Sequence, residues 1–182
     1  MLTGPVLGPM VICGVCFLEE NIKSLENLGV KDSKKLTTRK RSELSTKLKS
    51  NCFSYQSVII SPQEIDERIS LRISLNRLEE LKMAEILNHL KPDLVYIDAA
   101  DVKEERFGQS IAKLLNYSPK KIISKHKADD IYPIVSASSI IAKDMRDRLI
   151  EELKKEYGDF GSGYPSDVRS TTFLRDWIKK NK

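Results

Sequence analysis

The segment from Lys121 to Tyr157 constrains the fold more than any other part of the chain. A short run at Lys121–Ser124 predicts a strand, a polar corner that contains Asp129 follows, and a long helical pattern begins near Ile134. The apolar residues of that pattern recur every four positions: Ala137, Ile141, Met145, Leu149 and Leu153. This spacing gives the helix one apolar face, which another layer of the fold must cover. A strand followed by such a helix predicts a layered α/β protein.

A second strand with an aspartate at its end precedes this segment. Leu94–Ile97 is followed directly by Asp98. Ligands gather at the carboxyl ends of strands in open α/β sheets, so Asp98 and Asp129 are candidates for one site. Two carboxylates provide hard oxygen donors that suit Mg²⁺ or Mn²⁺, and two such ions support in-line attack of water on a phosphodiester. Two alternatives stay open: Asp98 can act as a turn or capping residue, and Asp129 or Asp130 can pair with Lys127.

The rest of the chain predicts further strands and helices around this unit. Two early runs are typical of strands, and periodicity or capping residues mark several helices. The predicted strands are Val6–Phe17 and Cys52–Ile60, and the predicted helices run from Thr37 or Thr38 to Ser50, from Pro62 to Ile69, from Ser74 to Leu90, from Gly108 to Leu115 and from about Ser170 to Lys180. This order favours a mixed α/β layer fold in a single domain over residues 1–182.

Composition limits the classes of function. The 182 residues are 40% apolar and 31% charged and carry a formal net charge of +5, which favours a polyanionic partner. No apolar run reaches the roughly 20 residues of a membrane span, and the first residues lack the charged region of a signal peptide, so we expect a cytoplasmic protein. The absence of a GxGxxG or Walker-type pattern disfavours an enzyme of the doubly wound class that acts on small phosphate compounds. Cys13, Cys16 and Cys52 form no disulfide framework, and buried thiols are expected rather than zinc ligands.

Several polar residues besides the two aspartates suit contact with a nucleic acid. Ser33 and Lys34 precede a predicted helix N-terminus, where cations, a hydroxyl and free backbone N–H groups favour a phosphate. Lys143 and Arg146 are three residues apart and share a face of the long helix, where they can hold phosphates. Tyr164 lies in a glycine-rich loop and can place its ring against a sugar or a base. Each of these features is also compatible with an ordinary solvated surface.

Five sequence blocks together resemble type 2 ribonuclease H (ribonuclease HII) in its archaeal form. They occur in the order of that family and extend over nearly the whole chain. The blocks read GPVLGPMVICGV, VKDSKKLT, LVYIDAADV, SKHKADDIYPIVSASSIIAKDMRDR and YGDFGSGYPSD. The resemblance implies a ribonuclease H-like mixed sheet flanked by helices. It also implies a monomeric endonuclease that needs Mg²⁺ or Mn²⁺, cleaves the RNA of RNA–DNA hybrids and ribonucleotides embedded in duplex DNA, and leaves 5′-phosphate and 3′-hydroxyl ends.

The resemblance implies roles for individual residues. Asp98 matches the third and Asp129 the fourth of the family's four active-site carboxylates, so both are expected to be catalytic and to bind the metal. Gly4 matches the last glycine of the family's Ala-Gly-Arg-Gly loop, and Tyr164 matches the tyrosine that packs on the sugar at the DNA side of an RNA–DNA junction. The remaining expected substrate contacts are Ser33, Lys34, Lys143 and Arg146.

The start of the chain departs from the family pattern. The family begins with a central strand that ends in an Asp-Glu pair before Ala-Gly-Arg-Gly, whereas only Met1-Leu2-Thr3 precede Gly4 here. A truncated gene model, a fragment or a degenerate paralogue would explain this departure, and we favour the first two because the loss is confined to the ends of the chain. The usual tail for a sliding clamp would lie past Lys182. Unpaired sheet edges and two absent carboxylates predict low stability and weak or no cleavage, and a non-catalytic nucleic-acid-binding relic is the alternative. Clear metal-dependent cleavage by the purified 182-residue chain would contradict this expectation.

Overall fold

Two short sheets carry the strands of the protein in a computed structural model, which describes residues 4–30 and 36–181. The strands are β1 (Met10–Cys16), β2 (Ser54–Ile60), β3 (Leu94–Asp98) and β4 (Lys121–Lys125). β1 pairs antiparallel with β2, and β3 pairs parallel with β4. The predicted α/β fold with mixed strand directions and flanking helices is confirmed. Within the described residues, the strands form two pairs rather than one continuous sheet.

Helices surround the two sheets and follow the capping signals of the sequence. They are α1 (Ile22–Asn27), α2 (Thr38–Asn51), α3 (Pro62–Ser70), α4 (Leu75–Leu90), α5 (Glu104–Ala112), α6 (Ala128–Ile131), α7 (Pro133–Tyr157) and α8 (Val168–Lys180). Thr37 caps α2, since its hydroxyl accepts a hydrogen bond from the Lys40 N–H at 3.3 Å. Ser61 forms a reciprocal capping box with Glu64 at the start of α3. None of the helices in the described ranges is long and apolar enough to cross a membrane.

Two elements start four residues away from the predicted position, and one short helix was not predicted. β1 begins at Met10, because residues 4–9 form a loop. α5 begins at Glu104 rather than at Gly108, since two acidic residues, Glu104 and Glu105, stabilise its first turn. α6 has four residues, which are too few for a periodic pattern to predict.

α4 and α7 hold the two sheets together. α7 packs on β1 and α2 and reaches β3, while α4 packs on β1, β2 and α5. One buried cluster includes residues of α1, α2 and α7, namely Leu25, Val30, Leu44, Leu48, Ala137, Ile140 and Ile141. A second cluster joins α4 to β3 and α5 through Ala84, Val95, Ile97, Ala99, Phe107 and Ile111. Because α4 and α7 each contact both sheets, they fix the position of β3 relative to β1.

The parallel pairing of β3 and β4 brings two polar strand ends to one edge of the molecule. Asp98 lies opposite Lys125, and the Ala99 N–H donates to the Lys125 carbonyl at 2.9 Å. Beyond β4 the chain turns through Lys127, whose φ of 53° lies in the left-handed region, and enters α6. The ends of both strands and the start of α7 therefore meet at one corner.

Candidate active site

Asp98, Ala128 and Asp129 form one contiguous group, which we call the carboxylate corner. Asp98 Oδ1 accepts a hydrogen bond from the Ala128 N–H at 3.1 Å. Ala128 directly precedes Asp129 on α6, so this hydrogen bond holds the two carboxylate-bearing residues next to each other. Both aspartates are half-buried. The structure thus brings together the two aspartates that the sequence singled out, although Asp129 lies on a short helix and not at the strand end itself.

Contacts around the carboxylate corner tie it to the core. Ser136 is fully buried, and its hydroxyl donates a hydrogen bond to the Asp129 carbonyl. The ring of Tyr132, which precedes α7, lies 4.7 Å from the ring of Tyr96 on β3. These contacts link α6 and the start of α7 to the strand that carries Asp98. The backbone of Asp129 therefore has a defined position relative to that strand.

His126 is hydrogen-bonded to the loop that follows β3 and to the start of α5. Its backbone N–H donates to Glu104 Oε1 at 2.8 Å, and Lys125 Nζ lies 3.0 Å from Glu104 Oε2. Its ring nitrogens lie 3.3 Å from the Ala99 carbonyl oxygen and 3.2 Å from that of Val102. The His126 N–H and then the Lys125 ammonium lower the pKa of the Glu104 carboxyl. Sequence reasoning did not single out Glu104, and the acidic first turn of α5 is the signal that could have found it.

The donor set of the carboxylate corner fits a hard divalent cation. Asp98 and Asp129 offer carboxylate oxygens, the donors that Mg²⁺ and Mn²⁺ prefer. Mg²⁺ commonly binds through one or two carboxylates together with water and substrate phosphates. Among residues 4–30 and 36–181 there is no group of three or more His, Cys, Asp or Glu that could hold a metal ion.

Lys143 and Arg146, which the sequence places on one helix face, have different surroundings. Lys143 is exposed, and loss of hydration together with the nearby charges of Arg41 and Arg146 lowers the pKa of its ammonium group. Arg146 is only 4% exposed and donates hydrogen bonds to three backbone carbonyls. Lys143 stays a candidate phosphate ligand. The phosphate contact expected of Arg146 stays a prediction, and its guanidinium is directed into the protein.

Tyr164 lies on the glycine-rich loop between α7 and α8, residues 158–167. Its ring centroid is 4.1 Å from the guanidinium carbon of Arg146, which is a cation–π contact. The Asp167 carboxylate closes the loop, because it accepts hydrogen bonds from the backbone N–H groups of Ser162 and Arg169. The Arg169 guanidinium and these N–H groups hold the pKa of the Asp167 carboxyl well below its usual range. The loop therefore presents Tyr164 from a hydrogen-bonded frame.

Gly4 begins a second loop, residues 4–9, that lies against the glycine-rich loop. A Cβ atom on Gly4 would be 2.9 Å from Leu75 Cδ2, so the backbone passes close to the start of α4. Two N–H groups of this loop donate to the Gly163 carbonyl at 2.9 and 3.1 Å. Gly4 and Tyr164, both expected to contact substrate, thus belong to loops that are bonded to each other.

Ser33 and Lys34 lie outside the described residues, so their phosphate contacts remain predictions. The described chain resumes at Leu36, whose carbonyl accepts a hydrogen bond from Arg41 Nη2 at 3.0 Å. Arg41 also forms an ion pair with Asp147 on α7. Arg41 therefore anchors the segment that follows the two predicted contacts to the long helix.

Comparison with known proteins gives matches over nearly the whole chain. The family model described as Ribonuclease HII matches residues 3–182. Ribonuclease HII of Pyrococcus furiosus is 51% identical over 180 residues, which cover 98% of this chain and 79% of that protein. The crystal structure of ribonuclease H2 from Pyrococcus horikoshii superposes with a TM-score of 0.90 at 46% identity, covering 99% of this chain and 84% of that one. Ribonuclease HII of Archaeoglobus fulgidus, solved in complex with PCNA, also gives a TM-score of 0.90, at 40% identity and with 97% and 83% of the two chains covered.

Proposed function

The chain belongs to the ribonuclease HII family, and on this premise we propose that it is a metal-dependent endonuclease that hydrolyses the RNA strand of RNA–DNA hybrids. The proposal extends to cutting at ribonucleotides embedded in duplex DNA, with 5′-phosphate and 3′-hydroxyl products. The alternative predicted from the sequence, a non-catalytic nucleic-acid-binding relic, finds no support in the fold or in the comparisons.

One observation carries the proposal at the level of residues. The hydrogen bond from the Ala128 N–H to Asp98 Oδ1 places two carboxylates, Asp98 and Asp129, at the same corner of the molecule. An opposite charge favours the ionised form of a carboxylate, so one cation bound at this corner would stabilise both aspartates. This arrangement supports catalytic and metal-binding roles for both residues.

The chemistry of each group at the carboxylate corner indicates its role. Asp98 and Asp129 would hold Mg²⁺ or Mn²⁺, and such ions lower the pKa of an attacking water and stabilise the leaving oxygen of a phosphodiester. The Ala128 N–H orients the Asp98 carboxylate, and the hydroxyl of Ser136 fixes the Asp129 backbone. The protein thereby orients the Asp98 carboxylate and fixes the backbone that carries the Asp129 carboxylate before substrate binds.

Further residues outside the carboxylate corner are proposed to contact the substrate. Lys143 would bind a backbone phosphate, which is supported by its exposure and by the cations beside it. Tyr164 would pack on the sugar at the DNA side of the RNA–DNA junction, and Gly4 would let the backbone approach the nucleic acid. Ser33 and Lys34 are proposed as further phosphate contacts from sequence alone.

The proposal also covers the oligomeric state, the domain organisation and the location of the enzyme. We propose a monomer with a single catalytic domain over residues 1–182, supported by the helices that contact both sheets. Its location would be the cytoplasm, where cellular nucleic acids are accessible, and the free thiols of Cys13, Cys16 and Cys52 suit a reducing compartment. The complex with PCNA belongs to the Archaeoglobus protein. We assign no clamp contact to the described residues of this chain.

A cleavage experiment with three labelled duplexes tests the proposed function. The duplexes are an RNA–DNA hybrid, a DNA duplex with one ribonucleotide and the matching all-DNA duplex, each incubated with excess protein in EDTA, Mg²⁺ or Mn²⁺. We expect cuts only in the first two duplexes and only with a divalent ion, and products that a 5′-phosphate-dependent exonuclease degrades. Binding of the hybrid without a cut in either metal would instead support the relic. Cleavage of the all-DNA duplex would contradict the proposed substrate class.

A further inference from the structure

We propose that Arg146 is a positioning residue that sets Tyr164 against the substrate, rather than a ligand of a nucleic-acid phosphate. The arginine clamp is defined here as Arg146 with the loop at residues 4–9 and the glycine-rich loop at residues 158–167. The inference rests on the proposed function, because it concerns how Tyr164 recognises a junction between ribonucleotide and deoxyribonucleotide.

The hydrogen bonds of Arg146 join the two loops. Its Nε donates to the Pro9 carbonyl at 3.1 Å and its Nη2 to the Leu7 carbonyl at 3.3 Å. Its Nη1 donates to the Ser162 carbonyl at 2.9 Å, on the glycine-rich loop. All three nitrogens of the guanidinium are therefore used by backbone oxygens of two loops that are separated by most of the chain.

The fourth contact of Arg146 is with Tyr164 itself. The guanidinium carbon lies 4.1 Å from the ring centroid, so the ring packs on the cation. A planar guanidinium can donate hydrogen bonds at its edge while an aromatic ring covers its face, and an ammonium group cannot do both. The orientation of the Tyr164 ring is consequently coupled to the same group that holds the two loops.

Burial separates this role from a phosphate contact. Arg146 is 4% exposed, whereas Lys143 on the same helix is exposed. Burial lowers the pKa of the Arg146 guanidinium, and the nearby Tyr164 and Asp147 partly oppose this effect. A phosphate at Arg146 would compete with three backbone carbonyls for the guanidinium, and each carbonyl that it displaced would lose a hydrogen-bond partner.

Further contacts make the clamp a stiff unit. The Gly163 carbonyl accepts hydrogen bonds from the Val6 and Leu7 N–H groups, and the Gly163 N–H donates to the buried Ser170 hydroxyl at 2.9 Å. A Cβ atom on Gly163 would lie 2.5 Å from the Leu7 oxygen and 2.9 Å from Arg146 Nη2. The Gly163 backbone therefore packs directly against both Leu7 and Arg146, and Tyr164 is the next residue in the chain.

Duplex binding in EDTA tests the inference without any need for cleavage. Fluorescence anisotropy gives the affinities for a DNA duplex with one ribonucleotide and for the matching all-DNA duplex, each over a range of salt concentrations. The variants are Arg146→Lys, Arg146→Met, Tyr164→Ala and the double variant Arg146→Lys with Tyr164→Ala. Arg175→Ala, which removes an exposed cation on α8, is the matched control. Circular dichroism and thermal unfolding establish that each variant is folded.

The positioning role predicts a specific pattern. Arg146→Lys should remove most of the preference for the ribonucleotide, although the charge is retained, and the double variant should be no worse than Tyr164→Ala alone. Arg146→Met should leave the slope of log affinity against log salt unchanged. If Arg146 instead contacted a phosphate, Arg146→Met would lower the magnitude of that slope by about 0.9. Arg146→Lys would then keep most of the wild-type affinity and slope. That second pattern would overturn the inference.

The wild-type chain separates failure of this inference from failure of the proposed function. If it prefers the ribonucleotide duplex and Arg146→Lys keeps that preference, only the positioning role is wrong. If it has no preference and also fails in the cleavage experiment, both proposals are wrong. Should Arg146→Met not fold, Arg146→Lys and the double variant still distinguish the two roles.

Discussion

The carboxylate corner and the arginine clamp differ in how far apart in the sequence their contacting residues lie. In the corner, the Asp98 carboxylate contacts a residue 30 positions away on the next strand–helix unit. In the clamp, Arg146 contacts residues 137 and 139 positions away, and it is buried, whereas both aspartates are half-buried. The groups suited to chemistry are thus assembled locally and stay accessible. The group that orients substrate-contacting loops is assembled at long range and is buried.

This difference predicts that the two regions respond differently to substitution. A change at the corner should reduce the chemical step with little effect on folding, because a half-buried carboxylate contributes little to the core. A change in the clamp should reduce stability and substrate preference together, because the same contacts provide both.

The largest expected effect is at the corner. Asp129→Asn should lower the single-turnover cleavage rate by at least about a hundredfold, equivalent to ~2.7 kcal/mol of transition-state stabilisation, because the amide is a poor ligand for a divalent cation. Asp130→Asn removes the same charge from the adjacent, exposed residue and is the matched control. Urea unfolding should give similar stabilities for both variants. Equal losses of activity in the two variants would mean that Asp129 has no special role.

The next effect is in the clamp. Gly163→Ala should lower the free energy of unfolding by about 2–4 kcal/mol, since a left-handed φ is unfavourable for alanine and the new Cβ meets a backbone oxygen. In the structure that φ is +77° and the Cβ would be 2.5 Å from the Leu7 oxygen. Gly29→Ala is a close control, because its φ is +75° but no atom of the described residues lies within 4 Å of the added Cβ. If urea unfolding shows equal losses in the two variants, the close contact between the loops does not contribute.

The same contrast explains what the sequence could predict. Asp98 and Asp129 were found because each follows a recognisable strand, and the parallel pairing then brings those ends together. The long helix and the Thr37 cap were predicted from periodicity and local capping chemistry. Arg146 was assigned to an exposed face because helical spacing alone relates it to Lys143, and nothing local indicates the carbonyls of Leu7 and Pro9.

A smaller effect is expected for the exposed cation next to the clamp. Lys143→Ala should weaken binding of all duplexes by a similar factor, because a phosphate contact carries no sequence or sugar information. The slope of log affinity against log salt should fall by about 0.9, as for the loss of one phosphate contact. Arg175→Ala provides the comparison for removal of an unrelated exposed charge. An unchanged slope in Lys143→Ala would exclude the proposed contact.

The smallest effect concerns the closure of the glycine-rich loop and depends on pH. Arg169 and backbone N–H groups lower the pKa of Asp167, so its ionised form stabilises the fold fully above the unfolded-state value of about 3.9 and less as the pH falls below it. Asp167→Asn should therefore be less stable than wild type at pH 7, and the difference should shrink between about pH 4 and pH 2. Urea midpoints measured across this range test the sign. If the difference in stability between wild type and Asp167→Asn does not change with pH, ionisation of Asp167 does not contribute to that difference.

The most direct test of the account is a measurement of metal binding at the carboxylate corner. Electron paramagnetic resonance of free Mn²⁺ gives the affinity of wild type, Asp98→Asn, Asp129→Asn and the Asp130→Asn control, each in the presence of an all-DNA duplex that supplies phosphates. We predict that Asp98→Asn and Asp129→Asn each weaken Mn²⁺ binding by at least about tenfold, equivalent to ~1.4 kcal/mol, while Asp130→Asn binds like wild type. Equal Mn²⁺ affinity in all four proteins would contradict the claim that Asp98 and Asp129 hold the metal.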